Sequence, residues 1–154
     1  MEKVIIIICI LLLIVIIFNF NLLKTIVENM IYFNKANENN VSKTYNLNIT
    51  SKEQTGKNYV FYGKEKETNE DVFVFFVYGK GIHQVYGNEG INKEKALQIF
   101  NKYKNDVTTG DLYIIVRDSF VKGENIRKYL YWVIEKEGKF NHSHVSFIDG
   151  VYYK

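Results

Sequence analysis

The chain has 154 residues, 47% of them hydrophobic and 24% charged, with a formal net charge of +3 at pH 7. That length excludes a large multidomain enzyme, and an aromatic content of 16% excludes an intrinsically disordered chain, because segments that cannot fold lack such rings. The one cysteine, Cys9, excludes a disulfide scaffold, and lysines interleaved with glutamates, as in Lys64-Glu65-Lys66-Glu67, do not form the one-sided basic face of a nucleic-acid binder.

The first element is apolar. Val4 to Phe18 is an unbroken run of fifteen apolar residues, which Asn19-Phe20-Asn21-Leu22-Leu23 prolongs to twenty before Lys24. At about 1.5 Å of rise per residue the run spans roughly 30 Å, the thickness of a bilayer's hydrocarbon core. Lys3 and Lys24 bracket it and can reach the two surfaces. No small-x-small cleavage site follows, and Ile8 is too bulky for a lipoprotein signal ending at Cys9. Residues 1–23 therefore read as a cytoplasmic stub and an uncleaved transmembrane anchor. The short amino-terminal tail stays inside, and the rest is placed outside the cytoplasm.

Helical spacing continues through Ile26, Met30 and Phe33 and predicts that the helix runs on to the stretch Asn37-Glu38-Asn39-Asn40. Alternation of Tyr45, Leu47 and Ile49 with polar neighbours predicts a half-buried strand. A turn at Gln54-Thr55-Gly56-Lys57 leads to a strand over Asn58–Glu67. A turn at Thr68-Asn69-Glu70-Asp71 leads to the strongly β-prone Val72–Tyr78. Gly79-Lys80-Gly81 closes a hairpin onto Ile82–Tyr86. The next helix is better marked: Asn92 as N-cap, Glu94 in the first turn, Ile91 stapled against Ala96, and a buried stripe of Ala96, Ile99, Phe100 and Tyr103 with Leu97 at its edge. Strands follow at Leu112–Val116, Tyr129–Ile134 and Val145–Ile148, with the turn Lys136-Glu137-Gly138-Lys139 before the last. Helix then antiparallel strands thus occurs twice, over residues 24–88 and 89–154. The fold class is α+β.

Chemistry-bearing sets are few. His142 and His144 would share one strand face, but zinc needs further ligands, and His83 lies in the other half. Two exposed strand histidines are the expectation, with no metal and no cofactor. Ser119 or Ser143 with a histidine and Asp118 or Asp149 can be assembled on paper, without the Gly-x-Ser-x-Gly elbow that would mark a nucleophile. The pairs Glu65/Glu67 and Glu135/Glu137 read as solvated faces. Gly79-Lys80-Gly81 and Gly87-Asn88-Glu89-Gly90 read as turns and not as phosphate loops. The aromatics read as core and not as a stacking platform for bases. No catalytic residue, nucleic acid or small-molecule substrate is expected.

Three segments resemble one family. Gly90-Ile91-Asn92-Lys93-Glu94-Lys95-Ala96-Leu97-Gln98-Ile99 is similar to the start of a helix in the TseB-like (YpmB-like) cell wall elongation regulators. Tyr129–Ile134 with Lys136–Lys139 resembles their central hairpin, and Val145-Ser146-Phe147-Ile148-Asp149-Gly150 their closing strand and turn. The resemblance implies an anchor followed by two cystatin-like, PepSY-type units in a non-enzymatic extracytoplasmic membrane protein of Gram-positive bacteria. It also implies binding to a penicillin-binding protein. PepSY-type units occur in peptidase prosegments too, so a protease-inhibitor or propeptide-like module is the alternative. Its entry loop would be the short Val121-Lys122-Gly123-Glu124-Asn125.

Overall fold

A computed structural model describes the backbone of residues 2–103, 111–136 and 139–154, and the side chains of residues 15–103, 112–135 and 143–154. The chain divides into two bodies, Met1–Asn37 and Glu38–Lys154.

The first body is helix α1 (Glu2–Lys35), 34 residues long and hence roughly 51 Å. Among its described residues, Val15–Lys35 is long and apolar enough to cross a membrane. Polar side chains fold back onto the helix: Asn19 Nδ2 donates to the Val15 carbonyl at 2.8 Å, and Thr25 Oγ1 to that of Asn21 at 3.0 Å. The helix runs on to the edge of the Asn-rich stretch, as its spacing predicts, but that stretch is not simply a junction. α1 ends at Lys35, and the Asn-rich stretch opens a separate short helix, α2 (Glu38–Thr44). Glu38 sits in its first turn, where the helix dipole favours a negative charge, and Val41 is buried. The turn after it closes at Asn46, whose φ of +53° is a conformation asparagine tolerates better than most residues. Tyr45, expected in the strand, therefore precedes it.

Two antiparallel meanders make up the rest of the second body. The first runs β1 (Leu47–Thr55), β2 (Asn58–Glu65), β3 (Asp71–Val77) and β4 (Gly81–Tyr86), paired in that order. A bulge lies between Ile49 and Ser51, opposite Gly63. A Cβ at Gly63 would stand 2.8 Å from the Asn48 carbonyl oxygen, so the bulge needs glycine there. After a 3-10 turn at Gly87–Glu89 comes α3 (Lys93–Tyr103). The second meander follows as β5 (Asp111–Val116), β6 (Leu130–Lys136), β7 (Lys139–Ser146) and β8 (Tyr152–Tyr153), with a 3-10 turn at Ile126–Tyr129. The predicted turn at Lys136–Lys139 joins β6 to β7; its Glu137 and Gly138 lie outside the described residues.

Each sheet buries one of its two inner strands on both faces. In β3, every residue from Val72 to Val77 is buried; in β6, Leu130 through Ile134 are. Alternate residues then serve two surfaces. Phe73, Phe75 and Val77 join Val60 and Val85 from the first sheet to Leu112, Ile114, Leu130, Trp132, Ile134, Val145 and Phe147 from the second, with Ala96 and Phe100 of α3, in one core. Phe73 is the hub. Its ring meets Tyr62 at 5.7 Å and both Trp132 and Phe147 at 6.1 Å, each edge-on, the geometry in which the positive rim of one ring faces the negative face of another.

The N-cap is as expected: Asn92 Oδ1 accepts the Lys95 amide at 2.9 Å. The expected stripe on α3 is narrower than its periodicity suggests. Ala96 and Phe100 are buried and Ile99 partly so, whereas Tyr103 is 58% exposed. Tyr103 instead stacks on Tyr152 with ring centroids 4.7 Å apart, because β8 meets the end of α3 with an aromatic rather than a cavity.

Polar links stitch the sheets together. The Trp132 indole donates to the Ile91 carbonyl at 3.0 Å, and the Ile91 amide to that of Phe147 at 2.7 Å. Gly90 precedes this knot, and a Cβ on it would lie 2.4 Å from the Phe147 carbonyl oxygen. Arg127 donates to the Glu89 carboxylate, which also accepts the Tyr86 amide at 2.8 Å. Partial burial pushes the Glu89 carboxyl up, but these two hydrogen bonds outweigh it and hold the group below its usual range.

Candidate functional site

β5 is an edge strand, and edges expose unpaired backbone groups. Here one of them is taken: the Ile114 amide donates to the Tyr62 hydroxyl at 3.1 Å. Tyr62 reaches across from β2, and burial pushes its phenol well above the ordinary range. The two sheets therefore touch at Tyr62 and leave a groove beside it.

That groove is open to solvent and has a volume of about 940 Å³. Its floor is apolar: Tyr62, Phe73, Ile91, Leu112 and Trp132. Its rim carries Glu53, Glu70, Asp71 and Glu94 with Lys93 and Lys95. Asp71 is ion-paired to Lys64 at 3.0 Å, and Glu70 accepts from the Asn88 amide at 3.3 Å. Aromatic side chains thus lie at the base of the groove and charged ones around it. The described lining holds neither histidine nor cysteine, and among the described residues no three His, Cys, Asp or Glu side chains converge as a metal site.

The paper triads are not assembled by the described contacts. Ser119 is exposed in the turn after β5, and the neighbouring Asp118 carbonyl accepts from Lys80 Nζ at 3.0 Å. Ser143 is buried in β7. Asp149 accepts the Val151 amide at 3.1 Å; its hydrogen bonds to Ser146 and Val151 hold the carboxyl low. Glu65 and Glu67 are not merely solvated: they accept from Thr68 Oγ1 at 2.6 Å and Asn46 Nδ2 at 3.1 Å, bracing turns.

The histidines differ from expectation. The side chain of His142 lies outside the described residues. His144 is only partly exposed, stacked on Tyr153 at 5.0 Å and edge-on to Tyr131 at 4.8 Å. Arg117 lies 5.1 Å above the Tyr131 ring, so this face of the second sheet is an aromatic cluster that β-alternation alone did not reveal.

His83 on β4 faces Phe120 at 5.1 Å, and its Nε2 is enclosed without a hydrogen-bond partner. Burial lowers its pKa below the unfolded value of 6.5, opposed by a backbone hydrogen bond at Lys80. The unfolded chain then binds the proton more readily than the folded one. Stability is therefore full above about pH 6.5, declines as the pH falls through that value, and levels off below the folded pKa. We expect the urea midpoint of the full chain to drop between pH 7.5 and 5.5, and His83→Gln to flatten that drop. An equal decline in both proteins would contradict this account.

No protein-family model matches the chain, and no curated protein matches it. Among solved structures, the chain is similar to the YpmB protein from Bacillus subtilis, with 24% sequence identity, 69% of this chain and 84% of that chain covered, and a TM-score of 0.45.

Proposed function

We propose that this chain is a membrane-tethered binding protein without enzymatic activity, whose second body lies outside the cytoplasm and docks another envelope protein. The observation that carries the reading is the joining of a membrane-length apolar helix, with no buried residue in its described length, to a body whose groove has a ring-lined floor and a mixed-charge rim. Tethering holds that groove within a few nanometres of the bilayer, where the effective concentration of other anchored proteins reaches roughly the millimolar range. A modest interface then suffices.

The partner in this reading is a penicillin-binding protein of the elongation machinery, and the outcome is an influence on cell wall synthesis. That finer part is supported by the likeness of Gly90–Ile99, Tyr129–Ile134 and Val145–Gly150 to the TseB-like regulators.

A photo-crosslinking residue placed at Thr50 or Lys93 on the groove rim of the full-length protein tests it in intact cells. The expected product is an adduct that also takes up fluorescent penicillin. Adducts formed with cytoplasmic proteins alone, or none bearing the penicillin label, would refute the reading.

A further inference from the structure

Helix α1 is longer than the membrane requires. The apolar run ends at Leu23, yet the helix continues without a break to Lys35, roughly 18 Å further. At about 100° per residue, Asn19, Leu23, Ile26 and Met30 fall in one narrow arc, with Ile16 and Val27 beside them. Asn21, Lys24, Thr25 and Glu28 take the opposite side, where Lys24 and Glu28 pair at 4.0 Å. Ile16, Asn19, Leu23, Ile26 and Met30 are spaced three, four, three and four apart, the rhythm of a helix-pairing seam. Its apolar members are 46–67% exposed.

Two features of this stripe call for a protein partner. With the span at Val4–Leu23, as the sequence places it, Ile26 and Met30 lie past Lys24 and beyond the cover of lipid tails. Asn19 is the one polar residue in the arc, and its amide does not reach toward the nearer membrane surface. Instead Nδ2 donates back to the Val15 carbonyl at 2.8 Å, which directs the amide toward the bilayer interior. An amide has two donor hydrogens and an acceptor oxygen, so Oδ1 and the second hydrogen still need partners, and in hydrocarbon only another helix supplies them.

We infer that two copies of this chain pair in parallel along the stripe Ile16, Asn19, Leu23, Ile26 and Met30, with the two Asn19 amides hydrogen-bonded to each other. The inference rests on the membrane insertion proposed above, independently of any partner protein. Copies inserted with the same polarity are parallel, so each Asn19 meets its counterpart at equal depth. A primary amide is complementary to itself, and a single polar residue in such a seam fixes register.

The test is oxidative crosslinking of full-length protein in native membranes, in a Cys9→Ser background. Ile26→Cys and Met30→Cys should form disulfide-linked dimers, whereas Thr25→Cys and Glu28→Cys on the opposite side should not. Adding Asn19→Leu should reduce the dimer roughly tenfold, and Asn19→Gln should restore most of it. Carbonate extraction of the same membranes separates the two ideas. Protein retained in the membrane with no dimer, or with equal crosslinking at all four positions, overturns the pairing and leaves the anchoring intact. Release into the supernatant overturns both.

Discussion

Trp132→Ala should destabilise the second body by about 3–5 kcal/mol, the range for removing a large aromatic from a packed core. The indole is buried, lies 6.1 Å edge-on from Phe73, and holds the Ile91 carbonyl by a 3.0 Å hydrogen bond. Truncation removes ring contacts that join the two sheets and leaves a buried acceptor unmet, which alone costs about 1–3 kcal/mol. Domains of this size are stable by only about 5–15 kcal/mol, so the variant would sit near the threshold of unfolding. Trp132→Phe keeps most of the packing and loses the hydrogen bond, and should cost about 1–2 kcal/mol. Since Trp132 is the only tryptophan, far-UV circular dichroism is the right monitor of both variants. Equal denaturation midpoints for wild type and Trp132→Ala would show that the two sheets do not depend on this residue.

The second large effect concerns location. Leu12→Lys with Val15→Lys should release the protein from the membrane. Each lysine at the centre of a spanning helix costs roughly 2.5–3.5 kcal/mol on insertion scales, against a gain of about 0.3–0.6 kcal/mol for each aliphatic residue it must overcome. Two such charges cancel most of what the apolar run supplies. Wild-type protein should stay with membranes through carbonate extraction, while the double variant should appear in the soluble fraction or fail to be exported. Retention of the double variant in carbonate-washed membranes would mean that the helix is not what holds the protein there. The two variants probe separate bodies, so each should leave the other's property unchanged: Trp132→Ala still anchored, the double lysine variant still folded.

Most local structure was legible in the sequence because it is set by short-range chemistry. Fifteen apolar residues in a row leave no polar face, so the helix and its candidate membrane role follow from solvation alone. Runs of β-branched and aromatic residues at Tyr59–Tyr62 and Val72–Val77, with turn residues between and after them, mark β2 and β3 because such side chains suit a pleated, packed strand. Asn92 signals the start of α3 because its side chain reaches an amide three residues on. The break after Lys35 was less legible: asparagines read as loop in composition, yet beside Glu38 they sit at the start of a helix that Val41 holds by burial.

What only the tertiary structure decided is which faces meet. Periodicity could not say that β3 and β6 are enclosed on both sides, because an unbroken apolar run gives the same signal in a strand buried twice and in a buried helix. Nor could it place Tyr62 on the edge of β5, set Tyr103 against Tyr152, or gather Phe73, Trp132 and Ile91 into the floor of a groove. Those contacts join residues 41 to 59 positions apart, and their geometry depends on how the two sheets pack, which no single stretch of chain encodes.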